Sequence, residues 1–185
     1  MEIERIGDIR CRLGEGPLWD AKEQALYWVD APAATLHRVD WATRAANSWH
    51  LPGPNVGSLA LRENGGAVIA MDRGFYTFDF ETGEASLVQE LLTTDQSVRF
   101  NDGKTDRQGR FVAGSMDLDE GKGRPIGVVY QLDSELQPTQ ILDGFGCFNG
   151  PCFSPDGKTF YCTGRTSAAI EAFDYDPDTG AVSNG

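Results

Sequence analysis

The chain is short of positive charge, histidine, cysteine and long apolar runs, and each shortage removes a class of function. Its 16 Lys+Arg stand against 28 Asp+Glu, a formal net charge of -12. A surface of that sign repels a phosphate backbone or an anionic membrane, so neither nucleic acid nor membrane is an expected partner. The two histidines, His37 and His50, form no His-Glu-x-x-His helix, and no Gly-x-Ser-x-Gly turn or phosphate-binding Gly-x-x-x-x-Gly-Lys-Ser/Thr run accompanies them. Both read as surface residues. The four cysteines, Cys11, Cys147, Cys152 and Cys162, are few and unevenly spaced, with no Cys-x-x-Cys pair, and read as reduced thiols in or near a core. The charged start Met1-Glu2-Ile3-Glu4-Arg5 lacks the apolar stretch of a secretory signal. No run of about 18 apolar residues is present to span a bilayer as a helix. A soluble, cytoplasmic protein of one domain is expected from the 185 residues.

What the sequence does have is short hydrophobic runs separated by turn formers. Ala25–Val29, Ala67–Met71, Phe111–Ala113 and Thr159–Cys162 have the composition of buried strands. Asn64-Gly65-Gly66, Gln108-Gly109-Arg110 and Asp156-Gly157-Lys158 have that of hairpin turns, where glycine takes a positive φ without steric cost. Helical periodicity is scarce, and its best segment, Glu84 to Leu92, is short and runs into a threonine pair.

The hairpins recur in a larger unit. Each begins with a glycine-containing entry, at Gly16, Gly57, Gly103 and Gly150, spaced by 41, 46 and 47 residues. Each ends in an aspartate-anchored turn, beginning at Asp40, Asp79, Asp133 and Asp176. The last of these, within Asp174–Gly180, resembles the start of a calcium loop, but its glycine is one place late and the twelfth position is Gly185 rather than glutamate. It reads as a blade-closing turn. A repeat of about 40–50 residues holding about four strands is the signature of a β-propeller blade. Four such units fill the chain, and since propellers close with about 4–8 blades they form either a closed four-bladed ring or an incomplete one, whose open faces and edges favour self-association.

Inner strands of a propeller converge on a central channel, so polar residues at one phase of successive repeats can meet there. Glu15, Arg99, Asn101 and Asn149 occupy the blade entries. A carboxylate and amide carbonyls aimed at one point suit a hard divalent cation, with zinc also possible. The same residues are also ordinary turn formers, so position in the repeat, rather than residue type, carries the reading.

Leu13-Gly14-Glu15-Gly16-Pro17, Leu26-Tyr27-Trp28-Val29-Asp30, Arg99-Phe100-Asn101-Asp102-Gly103-Lys104, Asn149-Gly150 and Ala172-Phe173-Asp174-Tyr175-Asp176, in that order and spacing, resemble the family of senescence marker protein 30, regucalcin and gluconolactonase. The resemblance implies an all-β, six-bladed propeller of which residues 1–185 hold about four blades, the chain reading as truncated at its C-terminus. It implies one divalent ion (Ca2+, Zn2+, Mn2+ or Mg2+) with Glu15 and Asn149 as ligands. A further aspartate, ligand and general base, is expected from a blade beyond residue 185. Arg99, Asn101 and Asp119 correspond to positions that contact sugar. The activity implied is metal-dependent hydrolysis of a sugar lactone to the aldonic acid, with a small-molecule lactone as the partner. The alternative is a non-catalytic metal-binding or interaction propeller, or an inactive truncated lactonase. Tyr161-Cys162-Thr163-Gly164-Arg165 departs from the family pattern, and Arg165 is expected to alter substrate preference if it faces the channel.

Overall fold

A computed structural model describes residues 3–92, 97–119, 123–164 and 169–185; Arg165 lies outside them. Among the described residues sixteen strands form four antiparallel sheets, each a four-stranded meander of consecutive strands. The first blade holds β1 (Gly14–Asp20), β2 (Ala25–Asp30), β3 (Thr35–Asp40) and β4 (Ala46–His50). The second holds β5 (Val56–Leu61), β6 (Ala67–Met71), β7 (Gly74–Phe78) and β8 (Ala85–Glu90). The third holds β9 (Val98–Thr105), β10 (Phe111–Asp117), β11 (Gly127–Leu132) and β12 (Pro138–Phe145). The fourth holds β13 (Asn149–Phe153), β14 (Thr159–Thr163), β15 (Glu171–Tyr175) and β16 (Val182–Ser183). The expected propeller architecture is therefore present as an open arc of four blades. Glu84 to Leu92, the best helical segment of the sequence, contains β8, because its alternation supplies an outer strand to β7. No described helix is long and apolar enough to cross a membrane.

The blades are stacked by what lies between them. Ala25, Tyr27, Val29 and Leu36 of the first pack against Val56, Leu59, Ile69, Met71 and Phe78 of the second. The second and third share Val68, Ala70 and Phe75 with Phe100, Phe111 and Leu132. The third and fourth share Val112, Val129, Phe145 and Phe148 with Phe160, Cys162, Phe173 and Tyr175. β6 shows why the sequence reads as a continuous apolar run: Ala67, Ile69 and Met71 face one neighbour while Val68 and Ala70 face the other. A strand buried on both faces cannot alternate with polar residues.

The repeated aspartates close the blades as expected. Asp40 Oδ1 accepts from the Thr43 N–H at 2.7 Å, Asp79 Oδ1 from Glu81 and Thr82 at 2.8 Å, Asp133 Oδ1 from Glu135 and Gln137, and Asp176 Oδ1 from Asp178 and Thr179. Two sequence expectations change. His37 is only 7% exposed, because it lies on the face of β3 that stacks on Trp28, with ring centroids 5.1 Å apart; burial lowers its pKa below the ordinary imidazole value. His50 is exposed as expected. The cysteines are free, but only Cys162 is fully buried; Cys11 and Cys147 are half-buried and Cys152 is exposed.

Candidate functional site

Each blade's innermost strand carries an irregularity where it meets the channel. In β1, Glu15 pairs with Val29 and Leu18 with Tyr27; in β13, Asn149 pairs with Thr163 and Cys152 with Tyr161. In β5 the shift falls between Val56 and Ser58, and in β9 Asn101 and Asp102 together oppose Gly114. Each inner strand thus holds one residue more than its partner, a β-bulge, which bends the strand and re-aims a side chain. Gly16, Gly57 and Gly150 sit in the bulges, whereas in the third blade Asn101 and Asp102 take that place and Gly103 follows it. This offset is hidden in the sequence spacing. It places Asn101 at the register where the other blades have glycine.

The consequence is a cleft of about 210 Å³ lined by Leu13, Glu15, Arg99, Asn101, Met116, Gly123, Gly146, Cys147 and Asn149. A second space of about 410 Å³, which shares Glu15 with it, is walled by residues of all four inner strands, among them Leu59, Asp102 and Gly150. Four of the five sequence-predicted residues, Glu15, Arg99, Asn101 and Asn149, therefore line one cleft. The fifth, Asp119, does not; it is exposed and stands just outside, its N–H donating to Asp117 Oδ1 at 3.0 Å.

Asn101 is the hub of the cleft. Its Nδ2 donates to the Phe148 carbonyl at 2.9 Å and approaches Asn149 Oδ1 at 3.4 Å, while its Oδ1 accepts from Arg99 at 3.2 Å. Arg99 is steadied further by donating to the carbonyl of Phe100 at 2.8 Å. Asn149 Nδ2 donates to Cys147 Sγ at 3.2 Å, and Asn149 and Glu15 both line the cleft. Glu15 and Asn149 thus present oxygen donors, the chemistry that a hard divalent cation requires. Their donor types fit the ion that the sequence resemblance implies.

Three further residues that shape the site went unassigned in the sequence. Asp102 bridges two blades: its Oδ1 accepts from Gly103 N–H and its Oδ2 from Gly150 N–H, both at 2.8 Å, fixing β13 against β9. Asp117 and Arg124 pair beside Asp119. Arg124 Nε donates to Asp117 Oδ2 at 2.9 Å and its NH2 to Oδ1 at 2.7 Å, with the Arg124 N–H adding a bond at 3.2 Å. The Asp117 side chain has no solvent exposure, and the hydrogen-bonded guanidinium holds its carboxyl well below the ordinary carboxylate range. A bidentate pair of this kind fixes orientation as well as charge, so Gly123 is set at the cleft wall. The only advance signal was the Asp-x-Asp spacing of 117 and 119, which does not say which carboxylate turns inward.

With that geometry in place, the SMP-30/gluconolactonase/LRE-like sequence profile matches residues 13–185. The chain belongs to that family. It is 34% identical over 187 residues to regucalcin of Macaca fascicularis, covering 100% of this chain and 62% of the relative. It is also 34% identical over 185 residues to a pentonolactonase of Haloferax volcanii, covering 99% and 60%. Among solved structures, the calcium-binding protein regucalcin from Agrobacterium tumefaciens superimposes with a TM-score of 0.87 at 26% identity, over 97% of this chain and 60% of that one. The chain therefore spans about three-fifths of the length of these relatives. Lactonases and regucalcins are its kin, and the propeller is their shared frame.

Proposed function

We propose that the cleft is the substrate and cation site of a metal-dependent sugar lactonase, yielding the aldonic acid. The observation that carries this reading is the convergence of Glu15, Arg99, Asn101 and Asn149, from three different blades, on one cleft. A family membership that includes a pentonolactonase relative supports it. Glu15 and Asn149 are the proposed ligands of one divalent ion, which when bound polarises the lactone carbonyl. Arg99 and Asn101 are the proposed sugar contacts: a guanidinium and an amide, already hydrogen-bonded to each other, offer a preset array of donors to ring and hydroxyl oxygens. Asp119, at the rim, is proposed to meet outlying hydroxyls. The general base is expected from an aspartate that residues 1–185 do not include.

Acid release from glucono- and pentonolactones, followed with a pH indicator, tests this when paired with calorimetric titration of calcium, manganese and zinc. Glu15→Gln is expected to weaken cation affinity by at least about tenfold, since even outer-shell changes reach that size. Arg99→Ala is expected to raise KM with little change in cation affinity. Lactone turnover untouched by both a chelator and Glu15→Gln would sink the reading. Cation binding without acid release, in a protein that also carries the aspartate expected beyond residue 185, would reduce it to a binding site.

A further inference from the structure

The first blade has a face that the second blade does not use. Tyr27 and Val29 point into the core shared with the second blade, so Trp28, Asp30 and, across the ladder, His37 point the opposite way. Residues 3–13 run over that face, with Ile6 and Ile9 bordering a cleft above Leu26, Trp28 and Val39. At its end lies an arrangement that the lactonase reading leaves unused. One ligand atom each from Cys11, Asp30 and His37 lie within 4.8 Å of one another. Asp30 is 5% exposed and His37 7% exposed.

Each of the three is held by a separate partner, and none by the other two. Trp28 Nε1 donates to Cys11 Sγ at 3.3 Å. Backbone N–H groups of Arg12 and Leu13 donate to Asp30 Oδ2 and Oδ1 at 2.8 and 3.1 Å. His37 Nδ1 lies 2.8 Å from Ser48 Oγ, a bond that leaves Nε2 available. No hydrogen bond joins Cys11, Asp30 and His37 to each other, although their donor atoms surround a common point. Among the described residues no Lys or Arg pairs with Asp30; its carboxylate accepts from two backbone N–H groups and interacts electrostatically with His37. Buried charges are generally paired or metal-bound as well as hydrogen-bonded.

We infer that Cys11, Asp30 and His37 form a second metal site, for a soft or borderline divalent ion of the zinc class, separate from the oxygen-rich cleft at Glu15. A thiolate, an imidazole and a carboxylate are the donor set that zinc takes, at about 2.3, 2.0 and 2.0–2.2 Å. Tetrahedral geometry at those lengths puts donor atoms roughly 3.3–3.7 Å apart, so the longest edges contract by about 1 Å on binding. The charge balances: Cys11 loses its proton to solvent, and thiolate plus carboxylate offset the two positive charges. Outer-shell support is complete, with Trp28 on the sulfur, Ser48 on the imidazole and two N–H groups on the carboxylate, the pattern that orients metal ligands. Three protein donors leave a fourth position for water. The half-buried Cys11 provides the entry path.

Cobalt(II) serves as the probe, because thiolate coordination gives a near-ultraviolet sulfur-to-metal charge-transfer band. The protein is expected to show that band at one equivalent and to lose it on zinc addition. Cys11→Ser is expected to abolish it, His37→Ala to weaken cobalt affinity by about tenfold or more, and Ser48→Ala by about tenfold. Glu15→Gln and Cys147→Ser are expected to retain the band, which separates this site from the lactonase cleft. The inference is overturned if the folded protein, checked by circular dichroism, gives no band, or if the band survives in Cys11→Ser or vanishes in Cys147→Ser.

Discussion

Asn101 joins three parts of the cleft through one amide group, so its two ends are not interchangeable. Replacing it with aspartate keeps the shape but sets a second acceptor against the Phe148 carbonyl and Asn149 Oδ1, both of which now face an N–H donor. Leaving such groups unsatisfied costs about 1–3 kcal/mol, so Asn101→Asp is expected to lower the urea midpoint correspondingly. A midpoint equal to wild type would show that water replaces the lost donor without penalty. The identity of Asn101 was legible in the sequence because Arg99–Lys104 forms a recognisable string. Its role as hub was not, since that depends on Phe148 and Asn149, nearly fifty residues away, arriving beside it. The burial of His37 was missed for the same reason: nothing local to residue 37 announces a tryptophan stacked on it from the neighbouring strand.

Elements were read more securely than residues. Apolar runs of three to five residues correspond to β2, β6, β10 and β14, the last three each following a glycine turn, and the four aspartate turns close the blades. The pairing of Asp117 with Arg124 escaped this reading, because no local pattern announces an ion pair between residues seven apart. That pair carries a pH signature. The Asp117 pKa is lowered on folding from 3.8, so its contribution to stability is complete above the unfolded value and drains away as pH falls toward the folded one. The wild-type thermal midpoint is therefore expected to fall more steeply than that of Asp117→Asn as pH drops from about 5 to 3, the range around and below an ordinary carboxylate pKa. Asp40, Asp79 and Asp176 are lowered in the same direction by their turn N–H and hydroxyl donors and remain in both proteins, so the comparison isolates Asp117. Parallel curves would assign the acid sensitivity to those turns instead.

At the scale of the molecule, polar latches at the rim join blades that apolar cores hold apart from water. Between the third and fourth blades, the Tyr175 hydroxyl lies 2.7 Å from Asp106 Oδ2 and 3.0 Å from Gln131 Oε1. Arg110 binds Asp106 Oδ2 at 2.6 Å and reaches across to the Pro177 and Asp178 carbonyls at 2.6 and 3.0 Å. Tyr175→Phe keeps the ring in its core and removes only the hydroxyl. A loss of about 1–3 kcal/mol in unfolding free energy is expected, the cost of stranding buried acceptors. Near-surface amides of the fourth blade are expected to exchange faster with deuterium while those of the first do not change; uniform acceleration would mean the four blades unfold as one.

The recurring glycines meet two unlike demands. Gly16 and Gly150 have φ of +57° and +63°, and a Cβ there would meet nothing within 4 Å, so backbone handedness alone selects glycine. Gly57 has no such φ; a side chain there would run into the backbone of Asn101, and one at Gly103 would sit 2.6 Å from Ser58 Oγ. The second and third inner strands therefore touch main chain to main chain, joined by the Ser58 hydroxyl donating to the Asn101 carbonyl at 3.0 Å. One residue type thus meets both demands at the joints between neighbouring blades, backbone handedness at Gly16 and Gly150 and clearance at Gly57 and Gly103.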